Sequence, residues 1–307
     1  MEIHFAPLQG HTDYYYRKFY SDIYDGIDCF YTPFIRLEKG EPRKQDIDRL
    51  RKSADDGINI VPQIIFGSTK EFNTLTTAIK DLGFNRIDLN LGCPYPMQTS
   101  KHRGAALINN IQVMEAVADI INKDKETSYS IKMRLGLKEP EEWTSLIPVL
   151  NSMKLEHLTI HPRIGKQMYS GEINEEQFKL IIKESNNPII WNGDILNIED
   201  IKRIQQEYPQ IKGIMIGRGL LARPSLAIEW KSGEEWTKKE RLQKIIQFHS
   251  LLFETYENTL CGQTQILQKI KPFWEYLEDE IGRKAHKAIK KAINTDKYRA
   301  ALRLIEL

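Results

Sequence analysis

Cysteine is scarce in this sequence, and its pattern argues against several classes of protein. The 307 residues hold three cysteines, Cys29, Cys93 and Cys261, with no CxxC pair among them. An odd number of widely spaced cysteines is not the pattern of a disulfide framework. No HxH or HExxH motif is present to indicate a metal centre. We therefore predict a protein of a reducing compartment, the cytoplasm, that binds no metal ion.

Long apolar runs are also lacking. No stretch approaches the roughly 20 residues that a membrane-spanning helix requires. The first residues, MEIHFAPLQG, have neither the basic nor the apolar segment of a secretory leader. We expect a soluble globular chain that makes no membrane contact and has no obligate protein partner.

The chain has no strong overall charge. Its 44 Lys and Arg residues against 42 Asp and Glu residues give a net charge of +2. The basic residues are unevenly placed, however, because residues 281–303 carry eight of them and one acidic residue. A local basic stripe on a near-neutral protein indicates a polyanionic partner, although a solvated helix face is the simpler explanation of the charge alone.

Short apolar or β-branched runs recur along the first 220 residues. Eight of them lie at residues 4–9, 28–35, 59–66, 86–92, 130–135, 157–163, 188–194 and 213–219. Most are followed by a segment able to form a helix, and residues 108–123 and 197–208 have apolar residues at helical spacing. Eight strand–helix units over this length predict an α/β fold of the (β/α)8 TIM-barrel type, with a doubly wound sheet as the alternative.

The pattern changes after residue 234. Strand-like runs stop, and helical segments follow at 240–260 and 266–281. We predict two domains, a catalytic barrel over residues 1–234 and a small all-helical domain over residues 235–307. In the final basic stretch, apolar side chains fall on one helical stripe and the basic side chains on another face.

Polar residues stand at the C-terminal end of nearly every predicted strand. They are Gln9, Gln63, Asn90, Cys93, Lys132, Arg134, His161, Arg163, Asn192, Asp194 and Arg218. In a barrel these strand ends meet on one face, and TIM-barrel active sites lie on that face. We therefore predict a catalytic site there.

Two of these strand ends have the composition of phosphate-binding turns. The last two predicted strands end in WNGDI and GIMIGRG, which contain Gly193, Gly217 and Arg218. Loops at these positions of a barrel often bind phosphate through backbone N–H groups. Ordinary turn glycines are the alternative interpretation.

Lys132 and Arg134 alternate around Met133 in SIKMRL, so both can face the barrel interior. Two inward-facing cations require an anion or an electron-rich ring, and a bound flavin offers both. A pair of structural ion pairs is the alternative.

Cys93 lies between Gly92 and Pro94, just past the fourth run. A thiol with an ordinary pKa of about 8.5 is mostly protonated at neutral pH, so it can donate a proton. A nucleophilic thiolate would require a nearby base, for which His102 and His161 are the candidates. The polar loop that follows contains Gly104 and is predicted to move over a substrate.

In their order along the chain, these motifs resemble the dihydrouridine synthase family, the flavin-dependent enzymes that reduce uridines in RNA. The matching segments are APLQGHTD, PQIIFGS, LNLGCP, IKMR, HPRIGKQMYSG, WNGDI and MIGRG, which run through nearly the whole chain. The sequence departs from the family at Leu8, where the family has Met. It also departs at Gln98 and His102, in the loop that follows LNLGCP.

The resemblance implies a role for each matching residue. Cys93 would protonate C5 of the uracil ring, and FMN, reduced by NADPH, would supply hydride to C6. The residues implied to bind FMN are Pro7, Leu8, Gln9, Gln63, Lys132, His161, Asn192, Gly193, Asp194, Gly217 and Arg218. Those implied to contact the uridine or the RNA are Asn90, Arg134, Arg163 and Tyr169. On the basic stripe we expect Lys287, Lys290 and Lys291 to bind RNA, with Tyr298 beside them.

The sequence thus predicts a cytoplasmic enzyme that reduces uridines of tRNA to 5,6-dihydrouridine. Ribosomal RNA is an alternative substrate. A barrel oxidoreductase that uses FMN on a free pyrimidine is a second alternative, but it would have little use for a basic helical tail. A non-enzymatic RNA-binding module explains that tail but leaves Cys93 and the inward-facing cations without a role.

Overall fold

The structure, a computed structural model, describes residues 1–54 and 57–306. Two compact units are present. The barrel unit comprises Met1–Pro7, Asp28–Asp194 and Ile204–Ile216, and the helical unit comprises Leu8–Ile27, Ile195–Arg203 and the chain from Gly217 onward. The predicted domain boundary at residue 234 stays a prediction. No described helix combines the length and hydropathy needed to cross a bilayer.

Nine parallel strands of the barrel unit form one sheet, and two further strands form a hairpin. In chain order the strands are β1 (Glu2–Phe5), β2 (Cys29–Tyr31), β3 (Leu37–Glu38), β4 (Glu41–Pro42), β5 (Ile60–Val61), β6 (Gln63–Ile64), β7 (Arg86–Leu91), β8 (Ser128–Gly136), β9 (Leu158–Ile164), β10 (Ile189–Asn192) and β11 (Gly213–Ile216). Strands β3 and β4 pair antiparallel. The order in the sheet is β5-β2-β1-β11-β10-β9-β8-β7-β6.

Pro62 joins the two ends of this sheet. Strands β5 and β6 are at opposite ends of the strand order, yet Pro62 alone separates them in the chain. Proline has no N–H to donate to a ladder, so it interrupts the strand. Its carbonyl still accepts a hydrogen bond from the Asp88 N–H at 2.9 Å. Strands β5 and β6 are therefore one interrupted strand, the sheet closes with eight strands, and the predicted TIM barrel is confirmed.

Fifteen α-helices lie in the described residues. They are α1 (Tyr14–Ile23), α2 (Lys44–Ser53), α3 (Thr69–Lys80), α4 (Pro96–Thr99), α5 (Ile111–Lys123), α6 (Trp143–Asn151), α7 (Glu175–Glu184), α8 (Ile198–Glu207), α9 (Arg218–Ala222), α10 (Leu226–Ser232), α11 (Lys238–Thr259), α12 (Gln263–Ile270), α13 (Glu278–Ile281), α14 (Arg283–Lys291) and α15 (Thr295–Leu302). Short 3-10 helices cover Gly104–Asn109, Gly165–Gln167 and Lys271–Trp274. The predicted helical C-terminal region is confirmed.

The barrel unit has both a buried apolar cluster and a group of polar residues on neighbouring strands. A buried cluster contains Ala6, Cys29, Tyr31, Val61, Ile190 and Met215. Burial raises the pKa of the Cys29 thiol to about 12, so this cysteine is an inert core residue. Asp88 and Asn90 on β7 face the same side of the sheet, because they are alternate residues of one strand, and Lys132 on β8 pairs with Asn90 in register.

Tyr298 lies in the core of the helical unit. Its side chain is fully buried, and its hydroxyl accepts a hydrogen bond from Trp274 Nε1 at 2.7 Å. The same hydroxyl is 2.7 Å from His249 Nε2. The prediction that Tyr298 lies on the RNA-binding surface is therefore wrong, because both its ring and its hydroxyl are used for internal packing.

The neutral His249 at this position makes the free energy of unfolding depend on pH. Burial lowers the pKa of His249 to about 3, whereas a histidine in an unfolded chain titrates at about 6.5. Between these values the unfolded chain binds a proton that the folded chain does not bind. The free energy of unfolding should therefore fall as the pH falls below 6.5, by about 1.4 kcal/mol per pH unit for this residue.

Urea unfolding of wild type and His249→Phe at pH 7.5 and pH 5 measures this contribution. The variant removes one titrating group, so its pH dependence should be shallower by about one proton. Both proteins keep His157, whose pKa burial also holds well below the ordinary value. An identical pH dependence in the two proteins would contradict the assignment to His249.

Candidate active site

Cys93 is held just past the end of β7 with its backbone hydrogen bonds satisfied. Its N–H donates to Asn90 Oδ1 at 2.9 Å, and its carbonyl accepts from the Ala105 N–H at 3.0 Å. The residue is 9% exposed. Burial raises the pKa of the thiol, with a partial offset from a hydrogen bond to the Tyr95 backbone and from Arg134 and Lys132. The thiol is therefore protonated at neutral pH, which suits a proton donor better than a nucleophile.

The side chains of Gln63 and Asn90 connect this backbone to a buried carboxylate. Asn90 Nδ2 donates to Gln63 Oε1 at 2.7 Å, and Gln63 Nε2 donates to Asp88 Oδ2 at 2.6 Å. The other oxygen of Asp88 accepts from Ser130 Oγ at 2.6 Å. We call Asp88, Gln63, Asn90 and the N–H of Cys93 the amide chain. The structure thus brings the predicted site residues Gln63, Asn90 and Cys93 together, and the chain of hydrogen bonds ends on Asp88, which was not among the predicted site residues.

Lys132 presents a cation in the same part of the barrel. It is half-buried and lies in register between Asn90 on β7 and Thr159 on β9. Burial lowers the pKa of its ammonium to about 8, Arg134 lowers it further, and Asp88 and Cys93 oppose the shift. Within residues 1–54 and 57–306 the ammonium makes no hydrogen bond to a protein atom. The neighbouring Thr159 hydroxyl is also buried without a partner among those residues.

Arg134 connects two loops at the strand ends. Its guanidinium donates to the carbonyls of Gly92 at 3.1 Å and Ile164 at 3.0 Å, and also to that of Met168. Its centre is 5.5 Å from the centroid of the Tyr169 ring. These bonds hold the loop of Cys93 against the loop after β9. The predicted contact of Arg134 with a ring or substrate stays a prediction, as does the RNA contact of Tyr169, which is 42% exposed.

Arg163 and His161 meet the turn after β10. Arg163 forms a two-pronged ion pair with Asp194 and also donates to the Gly171 carbonyl. Its Nη1 lies 3.2 Å from His161 Nε2. A guanidinium can only donate, so His161 Nε2 accepts and the proton of a neutral ring is on Nδ1. Arg163 is 3% exposed, and this burial disfavours the predicted RNA contact.

The Gly193 turn is close to His161. A Cβ on Gly193 would lie 3.2 Å from His161 Cδ2, and the residue has a φ of +140°. Asn192 Nδ2 donates to the Met215 carbonyl at 2.8 Å, which fixes the end of β10 against β11. The barrel unit therefore brings His161, Asn192, Gly193 and Asp194 to neighbouring strand ends, as predicted for a shared site. Their contact with a cofactor phosphate stays a prediction.

Other predicted residues lie outside this cluster. Pro7 is the last barrel-unit residue after β1, and Leu8 and Gln9 follow it in the helical unit. Gly217 and Arg218 follow β11 and begin α9. The predicted FMN contacts of these five residues stay predictions. Lys287, Lys290 and Lys291 are exposed on α14. The same helix buries Ala285, His286 and Ile289, so the predicted apolar and basic faces are confirmed within α14, whereas Ile293, which was predicted on the apolar stripe, lies beyond the helix and is 76% exposed.

The loop after Cys93 is anchored at its C-terminal side. Arg103 pairs with Glu71 through two hydrogen bonds, and Glu71 also accepts from the Gly67 N–H at 2.9 Å. Gly104 has a φ of +61°, and a Cβ there would lie 2.5 Å from the Cys93 carbonyl oxygen. These contacts fix the loop at Arg103 and Gly104, and the prediction that the loop moves over a substrate stays a prediction.

The sequence contained a usable signal for one overlooked residue. Asp88 is two positions before Asn90 on a strand, and this spacing places both on one face. Glu71 and Arg103 are 32 positions apart, and nothing local in the sequence indicates that they pair.

Known proteins match this chain over most of its length. The family model described as "Dihydrouridine synthase (Dus)" matches residues 4–305. A Staphylococcus epidermidis protein named "Probable tRNA-dihydrouridine synthase" is 31% identical over 261 residues, which cover 82% of this chain and 78% of that protein. "tRNA-dihydrouridine synthase B" of Pasteurella multocida is 26% identical over 281 residues, which cover 91% of this chain and 80% of that protein.

Solved structures share the fold at low identity. The old yellow enzyme from Trypanosoma cruzi superposes with a TM-score of 0.55 at 11% identity, over 77% of this chain and 89% of that chain. Histamine dehydrogenase from Rhizobium sp. 4-9 superposes with a TM-score of 0.54 at 12% identity, over 76% of this chain and 46% of that chain. At this identity the likeness concerns the fold alone.

Proposed function

Since this chain belongs to the dihydrouridine synthase family, we propose that it reduces uridines of tRNA to 5,6-dihydrouridine with a bound flavin as the hydride carrier. The observation that carries the proposal is the position of Cys93. A protonated thiol is fixed by its backbone at the end of β7, in electrostatic contact with Lys132. The relatives named tRNA-dihydrouridine synthase support tRNA as the RNA class.

The residues of the barrel unit fit FMN. The Lys132 ammonium and the Thr159 hydroxyl are donors without protein hydrogen-bond partners among the described residues. An electron-rich ring system with carbonyl and ring-nitrogen acceptors satisfies such donors. Because Gly193 has no Cβ, its turn can pack directly against His161, where a Cβ would lie 3.2 Å from Cδ2, and glycine turns of this kind bind phosphate through their backbone N–H groups. We assign Lys132 to the flavin ring, Gln63 and His161 beside it, and the Asn192–Asp194 turn to the phosphate end.

Cys93 then acts as the general acid of the reaction. FMN, when bound and reduced by NADPH, would supply the hydride that adds to C6 of the uracil ring. The Cys93 thiol donates its proton to C5 and is left as a thiolate, which recovers a proton from solvent. The cations of Lys132 and Arg134 favour this thiolate over one in purely apolar surroundings. Asn90 holds the Cys93 backbone and stands beside the target base.

Mass spectrometry of nucleosides tests the function. Transfer and ribosomal RNA from a strain without dihydrouridine are incubated with the purified protein, FMN and NADPH. We expect a gain of two daltons on uridine in the tRNA fraction. A gain in the ribosomal fraction alone would change the RNA class. No gain in either fraction, with flavin bound and NADPH oxidised, would favour a small-molecule oxidoreductase.

The exposed basic face of α14 should provide part of the RNA affinity. Replacing Lys287, Lys290 and Lys291 with Gln should raise the Kd for tRNA and flatten its dependence on salt, because each phosphate contact releases counterions. Loss of three contacts should reduce the salt slope by about 2 to 3. Flavin content should not change. The measurement is Kd by filter binding from 50 to 200 mM salt.

A matched control distinguishes RNA binding by the α14 surface from an effect of net charge on the affinity. Replacing the exposed Lys179, Lys183 and Lys202 on α7 and α8 with Gln removes the same three charges elsewhere. That variant should keep most of the affinity and salt slope of the wild type. If both triple variants lost the same affinity for tRNA, the effect of the α14 substitutions would come from overall charge and not from a specific RNA-binding surface.

A further inference from the structure

The direction of the amide chain is fixed at both of its ends. An ionised carboxylate can only accept, so the Gln63 amide must turn Nε2 toward Asp88 and Oε1 toward Asn90. A backbone N–H can only donate, so the Asn90 amide must turn Oδ1 toward Gly92 and Cys93. These two orientations are compatible, because they place Asn90 Nδ2, a donor, 2.7 Å from Gln63 Oε1, an acceptor. If either amide rotated by 180°, a donor would face a donor or an acceptor would face an acceptor.

We propose that Asp88 is a positioning residue that holds Cys93 in place by fixing the orientation of Gln63 and Asn90. Asp88 is fully buried and lies three hydrogen bonds from the Cys93 N–H. The part of this inference that concerns turnover rests on the proposed function of Cys93. The part that concerns the position of the Cys93 backbone does not.

The Asp88 carboxylate accepts the hydrogen bond of Gln63 Nε2 at a buried position, where water cannot replace it. Without this carboxylate, Gln63 Nε2 would be a buried donor without an acceptor, and only the two backbone N–H groups at the other end would still orient the amides. Any movement of Gln63 that satisfies Nε2 elsewhere would weaken its bond to Asn90, and the hold of Asn90 Oδ1 on the N–H groups of Gly92 and Cys93 would loosen. The thiol would move with its backbone, and a displacement on the order of 1 Å in a reacting group costs about 10²-fold in rate.

For this role residue 88 must provide an oxygen that accepts the hydrogen bond of Gln63, but it need not be charged. In Asp88→Asn the amide oxygen can face Gln63 while the amide nitrogen donates to Ser130, because a serine hydroxyl can accept as well as donate. The direction of the amide chain is then preserved. Asp88→Asn is therefore the conservative variant that should keep Cys93 in place, and Asp88→Ala is the variant that should release it.

Amide hydrogen exchange of the purified full-length protein, read by mass spectrometry, tests the position of Cys93 without any reaction. In Asp88→Ala, exchange should rise about tenfold in the peptide that contains Gly92 and Cys93, the value expected for the loss of one hydrogen bond. Exchange in the β9 peptide should not change, whereas general loss of stability would raise both. Asp88→Asn should match the wild type.

Ser130→Ala is the matched control at the same barrel depth. It removes the bond to the other carboxylate oxygen and leaves Oδ2 for Gln63, so the Cys93 peptide should keep its wild-type exchange. If Asp88→Ala does not fold, Gln63→Met breaks the amide chain one bond closer to Cys93 and must produce the same local increase. Wild-type exchange at Gly92 and Cys93 in a folded Asp88→Ala or in Gln63→Met overturns the proposal.

Turnover distinguishes positioning from a failure of the proposed function. With tRNA as substrate, Asp88→Ala should lower kcat by about 10²-fold and change KM far less, because the exposed lysines of α14 that are proposed to bind RNA are unaltered. Asp88→Asn should restore kcat. A wild-type enzyme that reduces no uridine would contradict the proposed function, and the exchange measurement would still decide the role of Asp88.

Discussion

Cys93→Ala should lose uridine reduction by about 10²- to 10⁴-fold in kcat, the range that a positioned general acid contributes. The flavin should still bind and still be reduced by NADPH, because neither event uses the thiol. The thiol is protonated at neutral pH because burial raises its pKa. Alanine occupies the same site without a proton to donate.

Stopped-flow absorbance and tRNA turnover measure the two half-reactions of this variant separately. Cys261→Ala is the matched control, since Cys261 is an exposed cysteine in the helical unit. It should keep both half-reactions at wild-type rates. Full tRNA turnover by Cys93→Ala would show that another group donates the proton. Loss of flavin reduction in the same variant would point to a structural role for Cys93.

Gly104→Ala should displace Cys93 and lower kcat by about 10²-fold. A Cβ on Gly104 would lie 2.5 Å from the Cys93 carbonyl oxygen and 2.9 Å from Cys93 Cβ, separations at which backbone must shift. The φ of +61° adds the cost of a left-handed backbone, about 1 to 2 kcal/mol for a residue with a side chain. Turnover with tRNA and the thermal unfolding midpoint are the two measurements.

Gly83→Ala supplies the control for the backbone cost alone. Gly83 has a φ of +86°, and a Cβ there would meet no atom within 4 Å. Both variants should lower Tm, but Gly83→Ala should keep wild-type turnover. If Gly83→Ala lost as much activity as Gly104→Ala, the loss would come from general destabilisation and the contact with Cys93 would not explain it.

Much of the site was predictable because strand ends in a barrel converge. Asn90, Cys93 and Lys132 were found from their place in or just after apolar runs, and the structure puts them on or just past the neighbouring strands β7 and β8. Side-chain partners that are distant in sequence could not be predicted. The guanidinium groups of Arg134 and Arg163 bind backbone carbonyls and Asp194, and their predicted contacts with the substrate or the RNA stay predictions.

Burial explains why the prediction for Tyr298 is wrong. Tyr298 stands in a basic segment, and an aromatic residue among cations is typical of an RNA-binding surface. The periodicity of α15 nevertheless turns its ring inward, where Trp274 and His249 hold the hydroxyl. The exposed position of the α14 lysines was predicted correctly because one helix carries both the apolar and the basic stripe, whereas their contact with RNA stays a prediction.

The sequence by itself determined the barrel, the helical region after it and the position of Cys93 at a strand end, because alternation, helical spacing and turn residues are local properties of the chain. Only the tertiary structure decided which polar groups meet. The amide chain links β6 to β7, the Arg103–Glu71 pair links the loop after β7 to α3, and Gly104 packs on Cys93. These contacts depend on strand register and on distances between segments far apart in sequence, and no local pattern encodes them.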